Sequence, residues 1–156
     1  MLEPTLSITA ITIAAAALVL SYLSFKRTNT HRDEENRNLA GRITNDIRYE
    51  MYSLRRKNTQ LGQAQIALHA ARGTYHSGSR EKDEQNRKRV SDRLDTIDTF
   101  RDGLAQKTNK INGRQLLNHI ADLETTHSML KEQREVIEED QIELEKRRSV
   151  FEGNRG

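Results

Sequence analysis

Two patterns of apolar residues divide this chain. From Leu6 to Phe25 twenty residues run without a charge (Leu6-Ser-Ile-Thr-Ala-Ile-Thr-Ile-Ala-Ala-Ala-Ala-Leu-Val-Leu-Ser-Tyr-Leu-Ser-Phe25), and Lys26 and Arg27 follow at once. As a helix at ~1.5 Å per residue such a run reaches about 30 Å, roughly the hydrocarbon thickness of a bilayer, and satisfies its own backbone hydrogen bonds. It predicts a transmembrane helix over residues 6–25. Beyond it the apolar residues thin out and recur at a spacing of seven.

Ala40, Ile47, Leu54, Leu61 and Leu68 form the first such seam, with Met51 apolar but Thr44, Asn58, Gln65 and Arg72 polar at the half-heptad positions. No proline interrupts it, which predicts a helix over about 32–72. Gly73-Thr-Tyr-His-Ser-Gly-Ser79 reads as a loop. A second seam, Val90, Ile97, Leu104 and Ile111, with Leu94 and Phe100 beside it, predicts a helix over about 80–111, stopped at Asn112-Gly113. The third, Leu116, Leu123, Leu130, Ile137, Leu144 and Phe151, is the most regular and predicts a helix over about 114–151. Its companions, Ile120, His127, Arg134, Gln141 and Arg148, are mostly polar.

A seven-residue apolar repeat keeps one side of a helix against a neighbour with left-handed supercoiling. The expected fold is therefore all-α: one N-terminal transmembrane helix, then a body of about three long helices. The short links favour an antiparallel bundle; the alternative is an extended coiled coil between subunits. The expected divisions are a short extramembrane N-terminus (1–5), the span (6–25), a juxtamembrane segment (26–38), the helical domain (39–152) and a tail (153–156).

Composition agrees with a thin core: of 156 residues 34% are hydrophobic, 31% charged and 4% aromatic. The absence of cysteine removes disulfides, thiolate metal sites and cysteine nucleophiles. Formal net charge is +3, unevenly spread. Residues 114–152 hold six Lys/Arg against ten Asp/Glu, so the last helix carries −4 and the rest +7. Acidic and basic helices that pack together or face water account for this.

The N-terminus has Glu3 where a cleavable secretory signal has Lys or Arg, so an uncleaved anchor is expected. Basic residues follow the span and none precedes it, which places the helical body in the cytoplasm and the N-terminus outside a cell membrane. Tyr22, Phe25, Lys26 and Arg27 would sit at the membrane interface. Ser7, Ala10, Ala14, Ala17, Ser21 and Ser24 lie three or four apart on one helix face, which fits association of spans.

For chemistry there is little. Glu124-Thr-Thr-His127 has the Glu-x-x-His spacing of di-iron bundles, but such sites use two copies and further glutamates, and the chain has one. Phosphate loops, nucleophile elbows and His-Glu-x-x-His are absent. Asn86-Arg-Lys-Arg89 before Val90 looks like a basic region before a zipper, but Glu81, Asp83, Glu84 and Asp92 break it up. The chain is expected to be no enzyme, with no metal, no cofactor, no nucleic acid and no small-molecule substrate.

The expected function is that of a membrane-anchored structural or interaction protein whose helical domain self-associates or docks a partner. The bilayer and a second copy or membrane-complex protein would be its partners. The seam residues carrying this are Ile47, Leu54, Leu61, Leu68, Val90, Ile97, Leu104, Leu116, Leu123, Leu130, Ile137 and Leu144. Two alternatives remain: an envelope-active protein of the phage lysis spanin type with its body outside the cytoplasm, or a single-span accessory subunit of a larger membrane complex.

Overall fold

The computed structural model describes residues 3–73 and 78–153, with side chains from Ile13 onward. They form three α-helices, α1 (Glu3–Arg72), α2 (Gly78–Ala105) and α3 (Gly113–Gly153), with one 3₁₀ turn at Thr108–Lys110 before α3. Among the described residues there is no strand. At ~1.5 Å per residue the helices measure roughly 105, 42 and 62 Å.

α1 and α3 run parallel, with α2 antiparallel between their ends. At one end the Gly113 amide donates to Asp33 Oδ1 at 3.1 Å, and Arg37 reaches Asn112. At the other, the Arg72 guanidinium donates to the Arg147 carbonyl and lies 5.4 Å from the centre of the Phe151 ring. All three helix pairs pack, α1 with α3 most extensively.

The seven-residue seams explain why the helices stay together. Ala40, Ile47, Met51, Leu54, Val90, Leu94, Ile97, Leu104, Ile120, Leu123, Leu130 and Ile137 form one core, and Leu61, Leu68 and Leu144, with Ala64 and Phe151 against them, a smaller one near the α1–α2 loop. Two buried threonines beside the seams are tolerated because their hydroxyls bond back one turn: Thr44 Oγ1 to the Ala40 carbonyl and Thr126 Oγ1 to the Asp122 carbonyl, each at 2.8 Å. Gly62 is where Arg87 lies across α1, in space that a Cβ would fill.

Helix ends follow from local backbone chemistry. Gly73, at φ +68, closes α1 in the left-handed conformation that glycine adopts without a Cβ penalty. α2 ends at Ala105, short of Ile111, which is extended at φ −118 and ψ 153. Asn112-Gly113 therefore opens α3 instead of stopping α2.

Among the described residues no helix is long and apolar enough to cross a membrane. This corrects the single-pass, cell-membrane localisation expected above, with its outside N-terminus and cytoplasmic body. The apolar side chains described run from Ile13 to Phe25, thirteen residues or about 20 Å of helix, where a span takes about 20 residues. The rest of the expected span, Leu6–Thr12, lies outside the described side chains. α1 passes without a break from the apolar stretch through Lys26, Arg27 and Arg32 into the bundle. Thr28 and Thr30, whose hydroxyls bond back to the Ser24 and Lys26 carbonyls at 2.9 and 3.0 Å, lie within that unbroken run.

Candidate functional site

The bundle begins where Asp33 and Arg37 of α1 meet the start of α3. The first thirty residues of α1, Glu3 to Arg32, are thus an arm of about 45 Å projecting beyond the bundle. Its large side chains are uncovered: Ile13 is 70% exposed, Leu18 71%, Val19 58%, Leu20 67%, Tyr22 63%, Leu23 54% and Phe25 66%. Lone exposed apolar residues are ordinary, but seven within thirteen residues make a continuous apolar surface.

Of the residues expected on the association face, Ala14, Ala17, Ser21 and Ser24 are exposed on this arm. Ser7 and Ala10 lie outside the described side chains. Lys26 and Arg27, with Tyr22 and Phe25 just before them, are exposed where the arm becomes charged.

The seam residues have a different fate. Ile47, Leu54, Leu61, Leu68, Val90, Ile97, Leu104, Leu116, Leu123, Leu130, Ile137 and Leu144 are all buried within one chain. They hold the bundle closed.

Two polar clusters, each built on a buried carboxylate, link helices of the bundle. His69 of α1 and Arg147 of α3 both meet Asp83 of α2: His69 Nε2 stands 2.9 Å from Asp83 Oδ2, and Arg147 NH1 donates to Oδ1 and Oδ2 at 3.2 and 3.1 Å. Arg147 also donates through Nε to Glu143 at 3.1 Å. Burial lowers the Arg147 pKa, but its hydrogen bond to Glu143 and the charge of Asp83 outweigh it and the net shift is upward. Nearby Asp140 is raised, first by burial and then by the charge of Asp83. In the second cluster His127 Nε2 of α3 stands 2.9 Å from Glu50 Oε2 of α1, and Arg134 NH2 2.5 Å from Glu50 Oε1.

His127 thus pairs across the bundle with Glu50, whereas Glu124 of the Glu-x-x-His spacing is exposed. A third histidine, His119, is buried with its Nε2 2.8 Å from Thr108 Oγ1. Burial, chiefly, lowers its pKa below the ordinary 6.5; Asp122 opposes that and Lys107 adds to it.

Asp83 was legible as a member of a seam, standing seven residues before Val90, but its acidity reads as part of a solvated helix start. Glu50 had no such signal, because its partners are 77 and 84 residues away. These clusters are spent on helix-to-helix contacts. Among the described residues no group of three or more His, Asp or Glu is placed to hold a metal ion. An open groove of about 500 Å³ on α2, lined by Thr96, Thr99, Phe100, Gly103, Leu104 and Lys107, contains no carboxylate or imidazole for acid–base chemistry.

No family model, curated protein or solved structure matches this chain.

Proposed function

We propose that this chain is a structural, interaction protein in which the three-helix bundle is a stiff body and the arm is the surface that joins it to other protein. The observation that carries this reading is the exposure of all seven large apolar side chains between Ile13 and Phe25. A helix apolar around most of its circumference is ordinarily found buried. Removing each such side chain from water is worth about 1.5–3 kcal/mol, so the arm holds an association energy that its own bundle does not use. The buried seams point the same way, since they are occupied within the chain.

Hydrogen exchange on the full chain tests the reading. Amides of residues 13–25 are expected to exchange as slowly as those of residues 40–68, and to become fast when Leu18→Glu, Leu20→Glu and Leu23→Glu are combined. Fast exchange in the arm at every protein concentration, beside a slow bundle, would overturn it.

A further inference from the structure

We infer that the arm's partner is the arm of other copies of this chain, in a parallel assembly of at least three. The inference rests on the reading of the arm as a protein interface and adds what covers it. Around a helix advancing about 100° per residue, Phe25, Leu18, Tyr22, Val19, Leu23, Leu20 and Ile13 follow one another over an arc of about 240°. Ala14, Ala17, Ser21 and Ser24 fill the remaining arc. An apolar stripe facing one packed layer spans about 100°. One neighbouring helix therefore covers less than half of the large side chains, and two or more are required.

A second copy supplies those neighbours without any complementary sequence. The arm carries no charge from Leu6 to Phe25 and meets the same charged boundary in every copy, so equivalent arms side by side match apolar residue to apolar residue. In the parallel arrangement Lys26, Arg27 and Arg32 of all copies stay together beyond the apolar zone, in water, where salt screens them within about 8 Å. An antiparallel overlap centred on Val19 sets Lys26 and Arg27 of each copy level with Thr12 and Ile11 of its neighbour, taking cations out of water with no acidic partner. Asp33, Glu34 and Glu35 lie among the same charges on the bundle side, and Glu35 already pairs with His31 at 3.5 Å.

Sedimentation equilibrium of the full chain tests the number of copies, and crosslinking tests their direction. The expected mass is at least three times the 18.0 kDa of one chain. The triple variant Leu18→Glu, Leu20→Glu, Leu23→Glu should be monomeric with an unchanged bundle melting temperature. Because the chain has no cysteine, Leu23→Cys, Ser24→Cys and Phe25→Cys each introduce a single thiol. In parallel arms at least one of the three forms a disulfide with itself on mild oxidation. In the antiparallel overlap equal positions lie roughly 12–18 Å apart along the axis, beyond the ~7 Å Cα separation a disulfide spans.

A dimer mass, or no self-disulfide from any of the three beside ready pairing of Ala14→Cys with Ser24→Cys, overturns the inference and leaves the arm an interface. A monomer whose arm still exchanges slowly also overturns it, because something other than a copy then covers the arm. A monomer whose arm is slow to exchange only on phosphatidylcholine vesicles overturns both the inference and the reading beneath it.

Discussion

The arm and the bundle half of α1 belong to one unbroken backbone helix, yet their apolar residues end in opposite environments. Between residues 40 and 68 a set of apolar positions recurs at heptad spacing on one side, where α2 and α3 cover Ile47, Met51, Leu54, Leu61 and Leu68 to 7% exposure or less, while Tyr49 and Tyr52 on the other side stay exposed. Between residues 13 and 25 the apolar positions are dense and occupy most of the circumference, and no residue of the chain's own bundle covers them. The difference teaches that angular placement, more than apolar content, decides what one chain can bury. A stripe is satisfied by a neighbour on one side; a band needs neighbours around it.

The largest effect that separates the two halves comes from placing a charge in each. Ile137→Asp puts a carboxylate where no solvent reaches and should lower bundle stability by roughly 3–5 kcal/mol, enough to unfold a marginal domain. Leu20→Asp, 67% exposed in the arm, should leave the urea midpoint of the bundle unchanged and weaken only association. Equal losses of stability from both would show that the arm and bundle fold as one unit, and the contrast would fail.

A smaller effect is expected from the cluster around Asp83. Asp83→Ala removes the acceptor that His69 and Arg147 share, and losing such hydrogen bonds to a buried carboxylate costs about 1–3 kcal/mol, read as a loss in the same urea titration. Replacing all three with His69→Leu, Asp83→Leu and Arg147→Met should recover most of it, because apolar side chains of similar volume need no partners. Failure of the triple replacement to recover stability would mean that the cluster also sets the register of the three helices.

These clusters mark where the sequence stopped being legible. The three-helix body followed from residues spaced by seven, and every predicted seam residue from Ile47 to Leu144 except Ile111 is buried. Ile111 kept the same phase and yet lies outside α2, because a spacing says which residues share a side and not where the backbone leaves the helix. The pairing of Glu50 with His127 and Arg134 depends on how α1 and α3 slide past one another, which no local pattern encodes. Length and apolarity predict a membrane span over residues 6–25, which the described residues do not bear out. Composition alone does not distinguish a band to be covered by lipid from one covered by other helices.

His119 makes the bundle's closure sensitive to pH. Its folded pKa lies below the ordinary 6.5, chiefly through burial, so the unfolded chain binds the proton more readily. Stability from this group is complete above about pH 6.5 and is lost as the pH falls below it toward the folded value. Melting temperatures of the wild type and His119→Gln should therefore converge as the pH is lowered from 7.5 to 5, with the slope shallower in the variant. An identical slope would show that His119 is as free to take up a proton folded as unfolded. The arm has no comparable histidine among residues 13–25, so its association should not follow this titration.

The smallest effect is a gain. Asp140 stands partly buried on α3, and burial together with the charge of Asp83 holds its pKa above the ordinary 3.8, although Arg147 offsets part of this. Here the folded state binds the proton more readily than the unfolded one. Stability is therefore highest below pH 3.8 and falls as the pH rises through the raised folded value, leaving an ionised Asp140 unfavourable at neutral pH. Asp140→Asn should raise the melting temperature slightly at pH 7 and leave it unchanged at pH 3. The Arg147 side chain stays paired with Asp83 and Glu143 in the variant. A loss at pH 7 would instead mean that Arg147 needs all three carboxylates. The bundle's third helix would then resemble the arm in depending on neighbours that a single side-chain change removes.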